Sequence, residues 1–137
     1  YLPPKLENNQ NSNYEHDELL WYDNLPDALE QAKNENKPIF IDFTGYTCTN
    51  CRWMETNIFT ELEVQELFKN FIMTRLYTDG GKNYRENQKM EIERFGTAAL
   101  PFYVVLNPDD EELGRFPGMD PDVGKFVTFL TNSLKNM

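Results

Sequence analysis

The chain has two cysteines in 137 residues, Cys48 and Cys51, with Thr49 and Asn50 between them. Three chemistries use such a pair. A structural disulfide stabilises a fold by restricting the unfolded chain, and loop entropy assigns about 2 kcal/mol to so short a loop against about 4.7 for one of a hundred residues. The spacing is poor for stapling. A closed zinc site asks for about four soft ligands, and the one histidine, His16, is distant in sequence. The metal reading is short of ligands. Reversible thiol chemistry suits the spacing. A first thiol at a helix N-terminus is stabilised as thiolate by unpaired N–H groups and the helix dipole, which lowers its pKa below the usual value of about 8.5. The second thiol, one turn on, can resolve a mixed disulfide. On this reading Cys48 is the nucleophile and Cys51 the resolving thiol. The disulfide is itself the redox group, so no further cofactor is expected.

Before it attacks, Cys51 must lose a proton that burial holds tightly. A nearby base would help. Asp42 is the candidate, because a carboxylate at the end of an apolar strand beside the motif should have a raised pKa and can exchange a proton with Cys51, directly or through water. Its alternative role is that of a strand-end Asp satisfied by local backbone. Glu55 lies one helical turn beyond Cys51 on the same face, either tuning the same proton or standing as an ordinary exposed helix glutamate.

These side chains need elements to position them. Ile39-Phe40-Ile41-Asp42-Phe43 is a short, nearly continuous apolar run, the pattern of a strand buried on both faces. The loop 44–47 follows, and residues from Cys48 to about Phe59 read as helical, which puts Cys48 at a strand-to-helix junction. Thr60 and Glu63 have the spacing of a capping box ahead of Val64, Leu67 and Phe68. Upstream, Leu19 to Tyr22 is a short apolar element. A helix follows, with Pro26 in its first turn and Leu25, Leu29 and Ala32 on one face, closed by Lys37-Pro38. Downstream come a strand over Phe71 to Tyr77, a turn at Asp79-Gly80-Gly81, and a polar helix over Lys82 to Phe95 ended by Gly96. Strands at Phe102 to Leu106 and Leu113 to Phe116 flank a turn at Asn107 to Asp110 and should pair antiparallel. The last helix has Asp120 as expected N-cap, Pro121 behind it, and Val123, Phe126, Val127, Leu130 and Leu134 on one face.

The order β-α-β-α-β-α-β-β-α predicts an α/β fold, a three-layer α/β/α sandwich. Strands separated by helices are expected to be parallel and the final pair antiparallel, giving a mixed central sheet. One domain is expected over 16–137. Residues 1–15, with Pro3-Pro4 and an Asn-rich stretch from Glu7 to Asn13, read as a flexible linker or tail. A balance of 13 basic against 23 acidic residues, formally −10, with no Lys/Arg cluster, argues against nucleic acid or anionic lipid as partner. No apolar run reaches the length of a bilayer span, so no membrane insertion is expected, and a start at Tyr1 reads as a soluble piece processed or cut from a longer protein.

Residues 37–43, four loop residues, then Cys48-Thr49-Asn50-Cys51-Arg52 resemble the active-site strand and helix of the thioredoxin family, including an acidic residue six positions before the first Cys. Ala99-Leu100-Pro101-Phe102 is similar to that family's cis-proline loop, and Phe116-Pro117-Gly118 to the glycine ahead of its last helix. The likeness covers about 16–137. Glu55, Asn57-Ile58-Phe59-Thr60, Val64 and Leu100 more narrowly resemble the C-terminal periplasmic domain of the DsbD thiol:disulfide interchange proteins, linked to cytochrome c biogenesis. The resemblance implies a periplasmic protein-disulfide reductase that receives electrons from a membrane-embedded domain and passes them to protein disulfides, periplasmic thioredoxin-like acceptors among them. It also implies a cis Pro101 facing the cysteines, with Leu100 backbone groups placed to pair with an extended substrate strand. Thr47 stands where the family often has an aromatic residue, and Thr49-Asn50 where it often has Gly-Pro. Potential and partner choice therefore do not carry over.

Tyr46 and Trp53 flank the pair, either as an apolar rim for a docking partner or packed against the first helix. Two further functions compete: an oxidase or isomerase of the same fold, separated by reduction potential, and a redox-inactive binding module in which the disulfide is a local clip, a role that does not require Asp42.

Overall fold

A computed structural model describes residues 19–137. The expected tail over 1–15 and His16 lie outside the described residues. The elements are β1 (Trp21–Tyr22), α1 (Leu25–Glu35), β2 (Ile39–Thr44), α2 (Thr49–Asn57), α3 (Leu62–Phe68), β3 (Ile72–Tyr77), α4 (Tyr84–Phe95), β4 (Phe102–Leu106), β5 (Glu112–Pro117) and α5 (Val123–Lys135). They form a five-stranded mixed sheet in the order β1-β3-β2-β4-β5.

Side chains alternate across a strand, so β2 sorts its residues between two cores. Phe40 joins Met54, Phe59, Val64, Phe68 and Phe126 on the face covered by α2, α3 and α5. Ile39, Ile41 and Phe43 join Ala28, Ala32 and Phe95 on the face covered by α1 and α4. The three-layer expectation is met. Two residues on from Phe40, Asp42 falls on the α2 side. In register it lies opposite Arg75 of β3 and Tyr103 of β4, whose neighbours Met73 and Val105 belong to the same core.

Strand direction departs from expectation at β4. β1 and β2 run parallel to β3, but β4 runs antiparallel to β2, although α4 separates it from β3. The physical reason lies in where the chain returns. Tyr77, the end of β3, pairs with Thr44, while Phe102, the start of β4, pairs with Phe43. Residues 78–101 thus bring the chain back to the end of the sheet it left, the end that carries the cysteines.

Two helix starts are also displaced. Thr60 caps nothing: its hydroxyl donates to the Thr56 carbonyl at 2.7 Å, answering a free carbonyl at the end of α2. Glu61 occupies the N-cap position of α3 with no side-chain hydrogen bond. In α5 the N-cap is Asp122, which accepts from Gly124 N–H at 2.9 Å, while Asp120 accepts from Asp122 N–H at 2.9 Å. Asp120 therefore forms the turn that delivers the cap. Helix α1 begins as its sequence suggests, with Pro26 in the first turn behind an Asn24 cap.

Candidate active site

Cys48 and Cys51 are joined as a disulfide, with Cα atoms 5.2 Å apart. Cys48 is the N-cap of α2, its Sγ accepting the Cys51 N–H at 3.1 Å. That N–H is one of the donors a helix start leaves unpaired, and it favours sulfur that carries negative charge. Cys48 is partly exposed, whereas Cys51 is buried. One sulfur is open to a partner and the other is sheltered behind it.

In β2, the strand that leads to the pair, Asp42 is 1% exposed. Arg75 Nε donates to its Oδ2 at 3.0 Å, while Oδ1 is buried without a partner among the described residues. Burial pushes the carboxyl up to about 6, against the charge and hydrogen bond of Arg75, which pull it down; Glu55 adds to the rise. A carboxyl lifted toward neutrality in this way has the property that general acid–base chemistry asks of a side chain. Arg75 is held in turn by stacking on Trp21, its guanidinium carbon 3.8 Å from the ring centroid.

Glu55 is not an isolated surface charge. It pairs with Arg52 at 2.9 Å, and the same guanidinium bonds Thr44 Oγ1 at 2.9 Å and the Tyr46 carbonyl at 3.4 Å. Arg52 thus ties α2 to the end of β2.

The loop from β2 into α2 is gripped from the other side by Asp79. Its Oδ1 accepts the Tyr46 N–H at 2.8 Å, and its Oδ2 accepts the Thr47 N–H at 3.2 Å and the Thr47 hydroxyl at 3.0 Å. Those hydrogen bonds, Tyr46 N–H foremost, hold the Asp79 carboxyl below the usual range. Tyr46 is exposed and stacks on Tyr77 with ring centroids 3.9 Å apart; its packing partner is β3 and not the first helix. Trp53 is half-buried against the α2-side core. The Leu100–Pro101 bond is cis, as the resemblance implied, and the Pro101 carbonyl accepts Gly118 N–H at 2.8 Å. Leu100 lies beside the loop, 3.1 Å from where a Cβ on Gly45 would stand.

The structure therefore gathers Cys48, Cys51, Asp42, Glu55, Tyr46 and Leu100-Pro101 at one end of the sheet and sends Trp53 toward the core. Sequence reasoning missed Arg75, Arg52 and Asp79. Arg75 had a usable signal: like Asp42, it is a charge inside an apolar strand. Asp79 looked like ordinary turn chemistry.

The thioredoxin-like family profile matches residues 20–108. The chain belongs to the thioredoxin-like family. Among curated relatives, this thioredoxin-like chain is 38% identical over 58 residues to spermatogenesis-associated protein 20 of Rattus norvegicus, a match covering 42% of this chain and 7% of that protein. It is 22% identical over 83 residues to the thiol:disulfide interchange protein DsbD of Campylobacter jejuni, covering 61% of this chain and 15% of that protein. The chain thus spans a small part of the curated relatives it matches. Among solved structures, a thioredoxin from Thermus thermophilus superposes with a TM-score of 0.69 at 26% identity, over 82% of this chain and 85% of that one. The fold and the Cys48–Cys51 disulfide make this thioredoxin-like chain a thiol-disulfide oxidoreductase. No helix among the described residues is long and apolar enough to cross a membrane.

Proposed function

We propose that residues 16–137 form the electron-delivering domain of a DsbD-type interchange system in the periplasm, a protein-disulfide reductase preceded by a linker over 1–15. The observation that carries this reading is the unequal pair: a partly exposed, N-capping Cys48 and a buried Cys51 on the same side of the sheet as the unpartnered oxygen of Asp42. In the reduced state, Cys48 thiolate attacks a partner disulfide, forming a mixed disulfide and expelling one partner thiolate. Asp42 then takes the Cys51 proton, Cys51 attacks Cys48 Sγ, and the second partner thiolate leaves as the Cys48–Cys51 disulfide closes. Two electrons pass to the partner. Glu55 tunes the proton held between Asp42 and Cys51, the backbone at Leu100-Pro101 receives the partner strand, and exposed Tyr46 contributes apolar surface, to which half-buried Trp53 adds only its uncovered edge. No cofactor beyond the disulfide takes part.

Support for the direction of flow and for the compartment comes from the likeness to the Campylobacter DsbD protein and from Glu55, residues 57–60, Val64 and Leu100. A membrane-embedded donor domain and periplasmic thioredoxin-like acceptors are the partners this reading names. Two measurements test it. A Cys51→Ser variant should trap a mixed disulfide through Cys48, and native thiols inert to alkylation with no adduct would overturn the exchange reading. Equilibration with glutathione should give a potential nearer ~−270 mV than ~−120 mV; the latter value would mark an oxidant and overturn the reductant assignment.

A further inference from the structure

The mechanism above uses Asp42 and leaves a second carboxylate at the site without a task. Asp79 stands just beyond β3, exposed, and spends both oxygens on the loop that delivers Cys48: the N–H groups of Tyr46 and Thr47 and the Thr47 hydroxyl. Two glycines lie close by, one against the Asp79 carboxylate and one against the Tyr46 ring. A Cβ on Gly45 would stand 2.9 Å from Asp79 Oδ2, and one on Gly81, where φ is +80°, would stand 2.9 Å from Tyr46 Oη. Both are closer than real Cβ atoms come, so a side chain at either position would force the facing Asp79 carboxylate or Tyr46 hydroxyl to shift. Tyr46 lies against the 79–81 turn. Its ring lies on Tyr77 with an interplanar angle of 14° and still keeps more than half its surface exposed.

We propose that Asp79 is a positioning residue of the exchange reaction: by fixing the backbone of Tyr46 and Thr47 it sets the approach to Cys48 and holds the Tyr46 ring as a rigid wall for a polypeptide partner. This rests on the thiol-exchange reading above. The two carboxylates divide the work. Asp42, buried and short of partners, moves a proton; Asp79, satisfied by backbone N–H groups, stays ionised and gives the loop one shape. A wall already in place spares the partner the cost of ordering it on docking. Such a role discriminates among substrates. A small disulfide reaches Cys48 without touching the wall, whereas a polypeptide disulfide docks along it.

The test compares reduction of insulin, a polypeptide disulfide, with reduction of 2-hydroxyethyl disulfide, with dithiothreitol as the electron source. Asp79→Ala should lower kcat/KM for insulin about tenfold, mainly through KM, and for the small disulfide less than about threefold. Asp79→Asn, which keeps one acceptor but turns an N–H₂ toward Thr47, should fall between. Tyr46→Ala should add little to Asp79→Ala in a double-mutant cycle, because the two act as a unit. If Asp79→Ala does not fold, Thr47→Val removes one of the three hydrogen bonds from the loop side and should shift the insulin ratio in the same direction. Equal losses on both disulfides, no loss on either, or full additivity with Tyr46→Ala would overturn the positioning role and leave the exchange reading intact. A wild-type protein inert toward both disulfides would remove the exchange reading, and this proposal with it.

Discussion

Arg75 Nε donates to Asp42 Oδ2 at 3.0 Å, across the register of two parallel strands, and Asp42 Oδ1 is left buried and unbonded. A fully satisfied ion pair would lock the carboxylate in its charged form. Here burial lifts the carboxyl to about 6, and the charge and single hydrogen bond of Arg75 offset only part of that rise.

In the proposed mechanism Asp42 is the base, so Asp42→Asn should slow the resolving step roughly a hundredfold. The mixed disulfide through Cys48 would then accumulate in acid-quenched samples of the otherwise unmodified protein. In the wild type, the rate of resolution should rise as pH climbs through about 6, and Asp42→Asn should lose that limb. The same substitution should stabilise the fold at higher pH. Burial raises the folded pKa above the unfolded value of 3.8, so the contribution is fully present below about 3.8 and is lost as pH rises through about 6. Urea titrations at pH 5 and pH 8 should show the advantage of the Asn variant growing with pH, to at most about 3 kcal/mol. A constant difference would sink the assignment.

Arg75 holds the Asp42 carboxyl down against burial. Arg75→Met should therefore move the acidic limb of the rate profile above 6, and Trp21 loses the guanidinium it stacks on. The profile moving the other way, or not at all, would mean that Arg75 has no hold on the proton.

Glu91 of α4 is fully buried with neither oxygen bonded among the described residues, and burial lifts its carboxyl to about 8. Its stabilising contribution is complete below the unfolded value of 4.5 and disappears as pH rises through about 8. Glu91→Leu should leave stability near pH 5 little changed and raise it by several kcal/mol at pH 9, read from chemical denaturation at the two values. A benefit that did not grow with pH would show the carboxyl to be solvated.

Gly45→Ala should weaken the fold and the site together. Its Cβ meets Asp79 Oδ2 at 2.9 Å and Leu100 Cδ1 at 3.1 Å, so either the carboxylate or the Leu100 side chain must give way. A cost of about 1–3 kcal/mol in urea unfolding is expected, with a loss of insulin reduction larger than that of Gly96→Ala, a position where a Cβ meets nothing within 4 Å.

What the sequence by itself determined is what depends on local spacing. The interval between Cys48 and Cys51 offers little as a staple, the shortage of further soft ligands argued against a zinc cage, and thiol exchange was the chemistry the spacing suited best. The apolar run from Ile39 placed a buried strand before it, and its period of two put Asp42 on the side of Phe40. Helix α1, with its proline and its acidic-to-basic order, was likewise readable, because each of those signals acts within a few residues.

Tertiary structure alone decided the rest, because the remaining partners meet across the sheet. Nothing within a few residues of Asp42 announces Arg75; a long-range register brings them together. The grip of Asp79 on Tyr46 and Thr47, 33 and 32 residues away in sequence, arises because β3 and β2 end side by side. The antiparallel direction of β4 depends on which end of the sheet residues 78–101 return to. The helix caps are the local exception: Thr60 and Asp120 each bond a backbone group within four residues and so do not cap the helix that follows. Spacing names the chemistry, and the meeting of distant charges sets the proton and the loop that allow it.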